Sequence, residues 1–255
     1  MPSSSRQPIG SAGSFQAFFE DWLVRQQRFL DELLSAQESS SSTTTTSRFD
    51  DTDVVGDLIA RVLAHYQEYY DEKSRMAHRN VFLAFSPTWF TPLERTFLWI
   101  AGFKPGLVCR LALSSLDDLT EDQIHRINGL SRETNWQEKS LDQKMAKIQE
   151  SVASPPLVDL ARREGMQIQS ATGSDIEGGI DDVDNQIEPL KSAMQNILRD
   201  ADGLRTRTAE TMAGILSPLQ NVRFLSAAAR LQFRIRMLGF QREADRQRGS
   251  TTNGW

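Results

Sequence analysis

The spacing of apolar residues is the feature that most restricts the fold of this chain. From Val183 to Ile215 apolar side chains recur at alternating steps of four and three over about nine turns, the pattern of a helix packed along its length. The same spacing runs from Phe15 to Leu34 and from Val54 to Tyr66. Because no stretch shows the sustained alternation of half-buried strands, the sequence predicts an all-α bundle of long amphipathic helices.

Changes in composition predict where the bundle is interrupted. Residues 39–47 are all serine or threonine and cannot bury apolar surface, so we expect a disordered linker over 38–52. A glycine-rich acidic stretch predicts a loop over 165–179. We therefore expect one helical domain over 14–248, with disordered ends at 1–13 and 249–255. Two prolines, Pro189 and Pro218, predict helix starts in the C-terminal part, and the last helix is expected to end near residue 246.

Aromatic residues and prolines are concentrated between residues 86 and 106, and they predict a helix corner, called here the aromatic corner. Thr91 is placed to cap a short helix over 92–101, with Glu94 completing a capping box. We expect that helix to bury Leu93, Phe97 and Ile100. The same capping pattern at Thr120 and Gln123 predicts the start of a long helix after the corner.

Composition narrows the class of protein. The net charge is −5, with 25% charged and 39% hydrophobic residues, which is ordinary for a globular chain. No apolar run approaches the roughly 18 residues that cross a membrane, and no apolar segment of a secretory signal is visible. The single cysteine, Cys109, lies in an apolar run, which indicates a buried reduced thiol. We therefore expect the protein in the nucleus and cytoplasm.

Residues that commonly carry catalysis are few. The three histidines include no pair four residues apart, and no Cys, His and carboxylate cluster has the spacing of metal ligands. There is no glycine-rich phosphate loop and no nucleophile elbow. His65, beside an apolar face, is expected at the surface or its boundary. The sequence predicts no catalytic residue and no metal site, and we do not expect an enzyme.

Four motifs in sequence order resemble one plant family. They are the opening helix Phe15–Leu23, the corner segment Thr88–Glu94 with Trp99 and Gly102, Ala201–Asp–Gly–Leu–Arg205, and Leu216–Ser–Pro–Leu–Gln220. They resemble the seed-dormancy-control domain of the delay-of-germination proteins, which also forms the C-terminal half of TGA-type bZIP factors. The resemblance implies a non-enzymatic regulator of seed dormancy or maturation and abscisic-acid signalling. Such a protein would act by binding type-2C protein phosphatases. Alternatives within the resemblance are a co-regulator of TGA-type bZIP factors, a pollen-aperture factor and a fatty-acyl-binding module.

The resemblance also implies sites and partners. Phe19, Asp21 and Trp22 correspond to the family's partner-contacting segment. Some relatives bind haem through two histidines, but the matching positions here are Gln232 and Arg236, so we expect no cofactor. The bZIP relatives bind DNA through a basic region placed before this domain. No basic segment precedes residue 14, so specific DNA binding by this chain alone is not expected. A homodimer is compatible with the family.

Two further sites remain open at the level of sequence. Aromatic residues of the corner are expected either to line an apolar slot for an acyl chain or to fill a core; they are Trp89, Phe90, Phe97, Trp99 and Phe103. In the last helix arginines accompany apolar anchors, a pattern typical of a calmodulin target. The alternative interpretation is a helix packed on the core. The residues concerned are Arg230, Arg234, Arg236 and Phe240.

Overall fold

The computed structural model describes the backbone of residues 11–42, 50–153 and 177–252, and every regular element in these ranges is an α-helix. The predicted all-α bundle is confirmed. The helices are α1 (Ser11–Ser42), α2 (Asp50–Arg79), α3 (Val81–Phe85), α4 (Pro92–Thr96), α5 (Gly106–Ser115), α6 (Glu121–Ser151), α7 (Glu177–Ile215) and α8 (Pro218–Thr252).

The longer helices share one core. Helix α1 packs against α2 and α8, α6 packs along α7, and α5 contacts α6 and α8. One apolar cluster receives a buried side chain from each of these six helices: Leu33, Val62, Cys109, Ile127, Met212 and Val222. Burial raises the pKa of the Cys109 thiol to about 11, so the thiol stays protonated, which agrees with the predicted buried cysteine.

Both predicted capping boxes are confirmed. At the start of α4 the Glu94 amide donates to Thr91 Oγ1 at 3.2 Å, and the Thr91 amide donates to Glu94 Oε2 at 2.7 Å. At the start of α6 the Gln123 amide donates to Thr120 Oγ1 at 3.2 Å, and the Thr120 amide donates back at 3.0 Å. Each pair satisfies backbone donors that a helix start leaves unbonded.

The helix predicted over 92–101 was too long. Helix α4 ends at Thr96, and Ile100 and Ala101 adopt φ values of 44° and 56°, outside the helical region. As a result Phe97, predicted to be buried, is 50% exposed, whereas Ile100 does reach the interior. The backbone turns here because the carbonyl groups of Trp99 and Ile100 accept hydrogen bonds from a distant arginine, Arg205, and not from the helix that was expected.

Other boundaries also differ from the sequence predictions. Asn80 interrupts α2 and caps α3, since its side chain accepts a hydrogen bond from the Phe82 amide. Helix α7 begins at Glu177 and passes through Pro189, because a proline removes one helical hydrogen bond and does not have to end the helix. Helix α8 remains regular to Thr252.

The structure describes part of the predicted linker and part of the predicted loop. Helices α1 and α2 extend into the predicted linker 38–52 from both sides, and α7 includes the last residues of the predicted loop 165–179. The remainder of both segments, together with residues 1–10 and 253–255, lies outside the described residues. Within the described part of the chain, no helix combines the length and apolarity needed to span a membrane.

Candidate functional site

A buried group of charged residues holds the aromatic corner against α2 and α7. It consists of Lys73, Asp202 and Arg205 and is called here the corner clamp. The Arg205 guanidinium donates through Nε to the Phe103 carbonyl at 2.7 Å and through Nη2 to the Ile100 carbonyl at 3.0 Å and to the Trp99 carbonyl. Its Nη1 donates to Asp202 Oδ1 at 2.5 Å. One side chain of α7 therefore fixes three carbonyl groups of the corner.

Lys73 of α2 completes the clamp. Its ammonium Nζ donates to Asp202 Oδ1 at 2.7 Å and to the Ala101 carbonyl at 3.1 Å, and it lies 5.1 Å from the ring centroid of Tyr70. Burial lowers the pKa of Lys73 to about 8, while the Asp202 carboxylate opposes that shift. Because each charge has a partner and is hydrogen-bonded, the clamp acts as a structural element. The segment 201–205 is one of the four family-like motifs, and the sequence alone indicated no role for it.

The last of the four motifs, residues 216–220, also joins helices of the bundle. The Gln220 side chain accepts from the Ser217 amide at 2.9 Å and donates to the Asp118 carbonyl at 3.1 Å. Gln123 of α6 donates to the same side chain at 2.7 Å and to the Ile215 carbonyl at 3.0 Å. The turn between α7 and α8 is thereby joined to the start of α6.

Two of the three predicted partner-binding residues lie in the interior. Phe19 is 2% exposed and Trp22 is 1% exposed. The Trp22 indole Nε1 donates to the His65 carbonyl at 2.9 Å, and its ring stacks on the His65 ring with centroids 4.5 Å apart. Large aromatic side chains on the α2- and α8-facing side of α1 enter the core, so these two cannot be surface anchors in this structure. Asp21 points to solvent and pairs with Arg25 at 3.2 Å.

The predicted position of His65, at the surface or its boundary, was wrong. The residue is buried between α1 and α2, not placed at the surface, and neither ring nitrogen has a hydrogen-bond partner among the described residues. Burial, together with the neighbouring positive charge of Arg25, lowers its pKa to about 4, against the opposite effect of Glu68. The ring is therefore neutral near pH 7. The apolar spacing of α2 was the signal available in the sequence, because it placed position 65 next to the buried stripe.

The five aromatic residues of the expected slot are divided by the structure. Trp89 and Phe90 join an aromatic cluster with Phe15 and Phe19, in which Phe15 and Trp89 have ring centroids 4.7 Å apart. Trp99 instead donates to Asp142 Oδ1 at 2.6 Å on α6. Phe97 and Phe103 are exposed. The structure therefore brings two of the five together as core and does not gather all five around one slot.

The expected calmodulin-type residues are divided as well. Arg230 and Arg234 are exposed on α8, and Phe240 is half-exposed. Arg236 faces inwards: its Nη1 donates to Glu94 Oε1 at 3.0 Å, and its guanidinium carbon lies 5.3 Å from the Phe19 ring centroid. This pairing holds α8 against the aromatic corner, so Arg236 stabilises the packing of helices.

The positions that correspond to haem ligands in relatives do not fit a haem here. Gln232 receives a weak hydrogen bond from Gln26 at 3.4 Å, and Arg236 is bound to Glu94. An amide and a guanidinium do not replace imidazole as iron ligands. A metal site is also not formed elsewhere in the described ranges, where no three His, Cys, Asp or Glu side chains are grouped to hold an ion.

The backbone of α8 approaches the corner closely at Gly239. A Cβ atom at this position would lie 2.1 Å from Thr91 Oγ1, so only glycine allows the observed distance between α8 and the start of α4. The capping residue of α4 is thus also the contact point of the last helix. No pattern in the sequence predicted this role for Gly239.

Comparison with known proteins gives matches over most of the chain. A family model described as seed dormancy control matches residues 30–114. Protein ZW2 of Arabidopsis thaliana is 34% identical over 241 residues, which are 91% of this chain and 99% of the relative. Protein RESPONSE TO ABA AND SALT 1 of the same plant is 35% identical over 244 residues, covering 92% of this chain and 97% of the relative. Transcription factor TGA5, also from Arabidopsis thaliana, is 30% identical over 244 residues but is covered over 68% of its length.

Proposed function

The chain belongs to the seed dormancy control family, and we propose that it is a plant regulatory protein of dormancy and abscisic-acid response that binds other proteins and is not an enzyme. The observation that supports this proposal is the match, over nearly the whole of both chains, to a relative named for its response to ABA and salt. The buried charged groups of the clamp are used in holding helices together, which is consistent with a scaffold for binding surfaces.

We propose a type-2C protein phosphatase as the partner and the solvent face of α1 as the contact. Because Phe19 and Trp22 are buried, contact at this helix must use its outer residues. Ala17, Asp21, Val24 and Arg28 follow each other at steps of four, three and four, are all exposed, and are called here the outer strip of α1. Val24 is 52% exposed and supplies an apolar centre between two opposite charges.

A point substitution tests this contact. Deleting residues 1–38 would remove core side chains and unfold the bundle, so it would not separate binding from folding. We expect Val24→Glu to reduce retention of the protein on an immobilised type-2C phosphatase at least tenfold, because the partner would have to desolvate a carboxylate. Val54→Glu, on α2, is the matched control, since Val54 is also exposed.

The measurement is a pull-down at equal protein concentration, with the melting temperature of each variant recorded. Retention of Val24→Glu equal to that of Val54→Glu would exclude the outer strip as the contact. If wild-type protein is not retained at all, the phosphatase proposal itself is excluded. Either result would direct attention to the second candidate.

The second candidate is a co-regulator of TGA-type bZIP factors. It is favoured by the similarity to TGA5, in which this chain matches about two thirds of the factor's length. A gel shift with DNA containing TGACG, the sequence in the name of a tobacco relative, tests it. We expect no shift by this chain alone and a slower band when it is added to a TGA-type factor. A shift by this chain alone would contradict this candidate.

We place the protein in the nucleus and cytoplasm, where both partner classes would be met. A role in pollen-aperture patterning, acyl binding and a homodimer remain proposals that follow from the family resemblance. Calmodulin binding through α8 remains a proposal that rests on the pattern of arginines and apolar residues in that helix. Expression in seed or in anther would separate the dormancy role from the pollen role.

A further inference from the structure

A cleft of about 350 Å³ lies between α2 and α7, on the solvent side of the corner clamp. Helix α2 contributes Tyr70, Ser74 and His78, and helix α7 contributes Gln195, Arg199 and Arg207. The residues on each helix follow steps of three, four or their sums, so each helix presents one continuous face to the cleft. The cleft was not foreseen from the sequence and plays no part in the proposed protein contacts.

Two arginines and two aspartates line the cleft, and the arginines are the groups free to attract an anion. Arg199 donates to Asn196 at 2.7 Å and Arg207 donates to Gln137 at 3.4 Å, and neither guanidinium pairs with a carboxylate in the described part of the chain. They are eight residues apart on α7, roughly 12 Å along the helix axis. At the base of the cleft, the Asp202 carboxylate is already held by the two cations of the clamp.

One acidic group opposes this field. Asp71 lines the cleft from α2 and accepts a hydrogen bond from Gln67 Nε2 at 2.8 Å, but it has no cationic partner among the described residues. Its charge therefore weakens the attraction of the cleft for an anion. This makes Asp71 a useful position for a test, because removing its charge should act in the direction opposite to removing an arginine.

Apolar surface is present beside the cations. It is supplied by Tyr70, which is partly exposed, whereas Ala77 and Leu198 lie beneath it and are nearly fully buried. The volume lies at the lower end of the range of small-molecule sites, about 300–1,000 Å³. A ligand that fits this lining has an apolar body of modest size and a single negative group.

We propose that the cleft between α2 and α7 binds a small amphipathic carboxylate, with its apolar body against Tyr70 and its carboxylate attracted by Arg199 and Arg207. Arginine binds carboxylates through two parallel hydrogen bonds, which gives it preference over neutral analogues of the same shape. The hydroxyl and amide groups of Ser74 and Gln195 are further polar groups for the bound molecule.

The experiment uses the full chain and two matched probes, benzoate and uncharged benzamide, in a titration followed by NMR of the labelled protein. We expect benzoate to shift amides of α2 and α7 around the cleft and to bind at least fivefold more tightly than benzamide. Arg207→Gln and Arg199→Gln should each lower the affinity for benzoate at least threefold, whereas Asp71→Asn should raise it. Arg234→Gln, an exposed arginine on α8, is the control and should bind benzoate as the wild type does.

The arginines are exposed, so their substitution should leave the melting temperature unchanged, and a change in affinity can be assigned to the cleft. Equal binding of benzoate and benzamide would overturn the proposal. The same conclusion follows if Arg199→Gln and Arg207→Gln bind benzoate as tightly as Arg234→Gln, or if the shifted amides lie outside the cleft.

Discussion

The buried Arg205 at the aromatic corner and the exposed arginines on the outer half of α8, residues 230–248, differ in what they contact. Arg236 of α8 resembles Arg205, because it pairs inwards with Glu94. At the corner Arg205 is 5% exposed, and its guanidinium donates to three backbone carbonyl groups and one carboxylate. On α8, Arg230 and Arg234 are exposed to solvent. An arginine determines backbone geometry where water is excluded and its donors find partners, whereas an exposed arginine leaves its helix free to contact another molecule.

The largest expected effect comes from removing the buried arginine. Arg205→Met should lower the free energy of unfolding by about 3–5 kcal/mol, because three carbonyl groups lose their donor and the charge balance around Asp202 is broken. Arg234→Met is the matched control and should change it by less than about 0.5 kcal/mol. Urea unfolding of both variants measures the difference.

A loss below about 1 kcal/mol for Arg205→Met would mean that the hydrogen bonds of Arg205 contribute little to holding the corner. In that case the burial of Arg205 would not explain why the corner is fixed, although the observed hydrogen bonds would remain.

His65 is also a buried polar group, but unlike the guanidinium of Arg205 its ring has no hydrogen-bond partner among the described residues, so we expect it to affect stability in a different way. Its pKa is about 4 in the folded protein against an ordinary value of 6.5, so the unfolded chain binds more protons between these values. The contribution of His65 to the free energy of unfolding is therefore complete above about pH 6.5 and is lost as the pH falls towards 4. Over that range we expect a loss of up to about 3 kcal/mol in the free energy of unfolding.

The measurement compares wild type with His65→Phe, whose ring can still stack on Trp22. Carboxylates titrate in both proteins, so the difference between the two unfolding curves isolates the histidine. If the difference does not change between pH 6.5 and pH 4.5, the buried ring does not have the lowered pKa that its surroundings imply.

Gly239 is the joint between the two regions, and it gives the next effect in size. Gly239→Ala should lower the free energy of unfolding by about 1–3 kcal/mol, because its Cβ would overlap Thr91 Oγ1. Gly214→Ala on α7 is the control: no atom lies within 4 Å of its Cβ position, so the substitution should stabilise the helix by about 0.5–1 kcal/mol. Thermal or urea unfolding would show the opposite signs. A destabilising Gly214→Ala, or a neutral Gly239→Ala, would contradict this account of the joint.

Local sequence rules predicted the parts of the fold that depend on neighbouring residues. The capping boxes at Thr91 and Thr120 were predicted because each is made by residues three apart. The end of α4 was not, because it depends on hydrogen bonds from Arg205, which lies more than 100 residues further along the chain. Apolar spacing could not report that the backbone carbonyls of the corner would be taken by a side chain of α7.

The candidate site shows the same division. Phe19 and Trp22 were assigned to a partner contact by family resemblance, although their spacing with Phe15 and Leu30 is that of a buried stripe. The periodicity was the better guide there, because apolar side chains at steps of three and four on one helix face enter the core. The clamp and the cleft between α2 and α7 unite residues more than 100 positions apart, and no local pattern in the sequence brings them together.

The smallest expected effect belongs to the outer half of α8. Leu231 is 45% exposed and Met237 is 53% exposed, so replacing each with serine removes little buried apolar surface and should change the free energy of unfolding by less than about 0.5 kcal/mol. Leu225→Ser, at a buried position on the same helix, should cost about 3 kcal/mol or more, because it leaves a cavity and buries a hydroxyl group. Urea unfolding of the three variants makes the test. A loss above about 1 kcal/mol for Leu231→Ser or Met237→Ser would assign these side chains to the packed core, and α8 would then offer a partner less apolar surface than its exposed residues suggest.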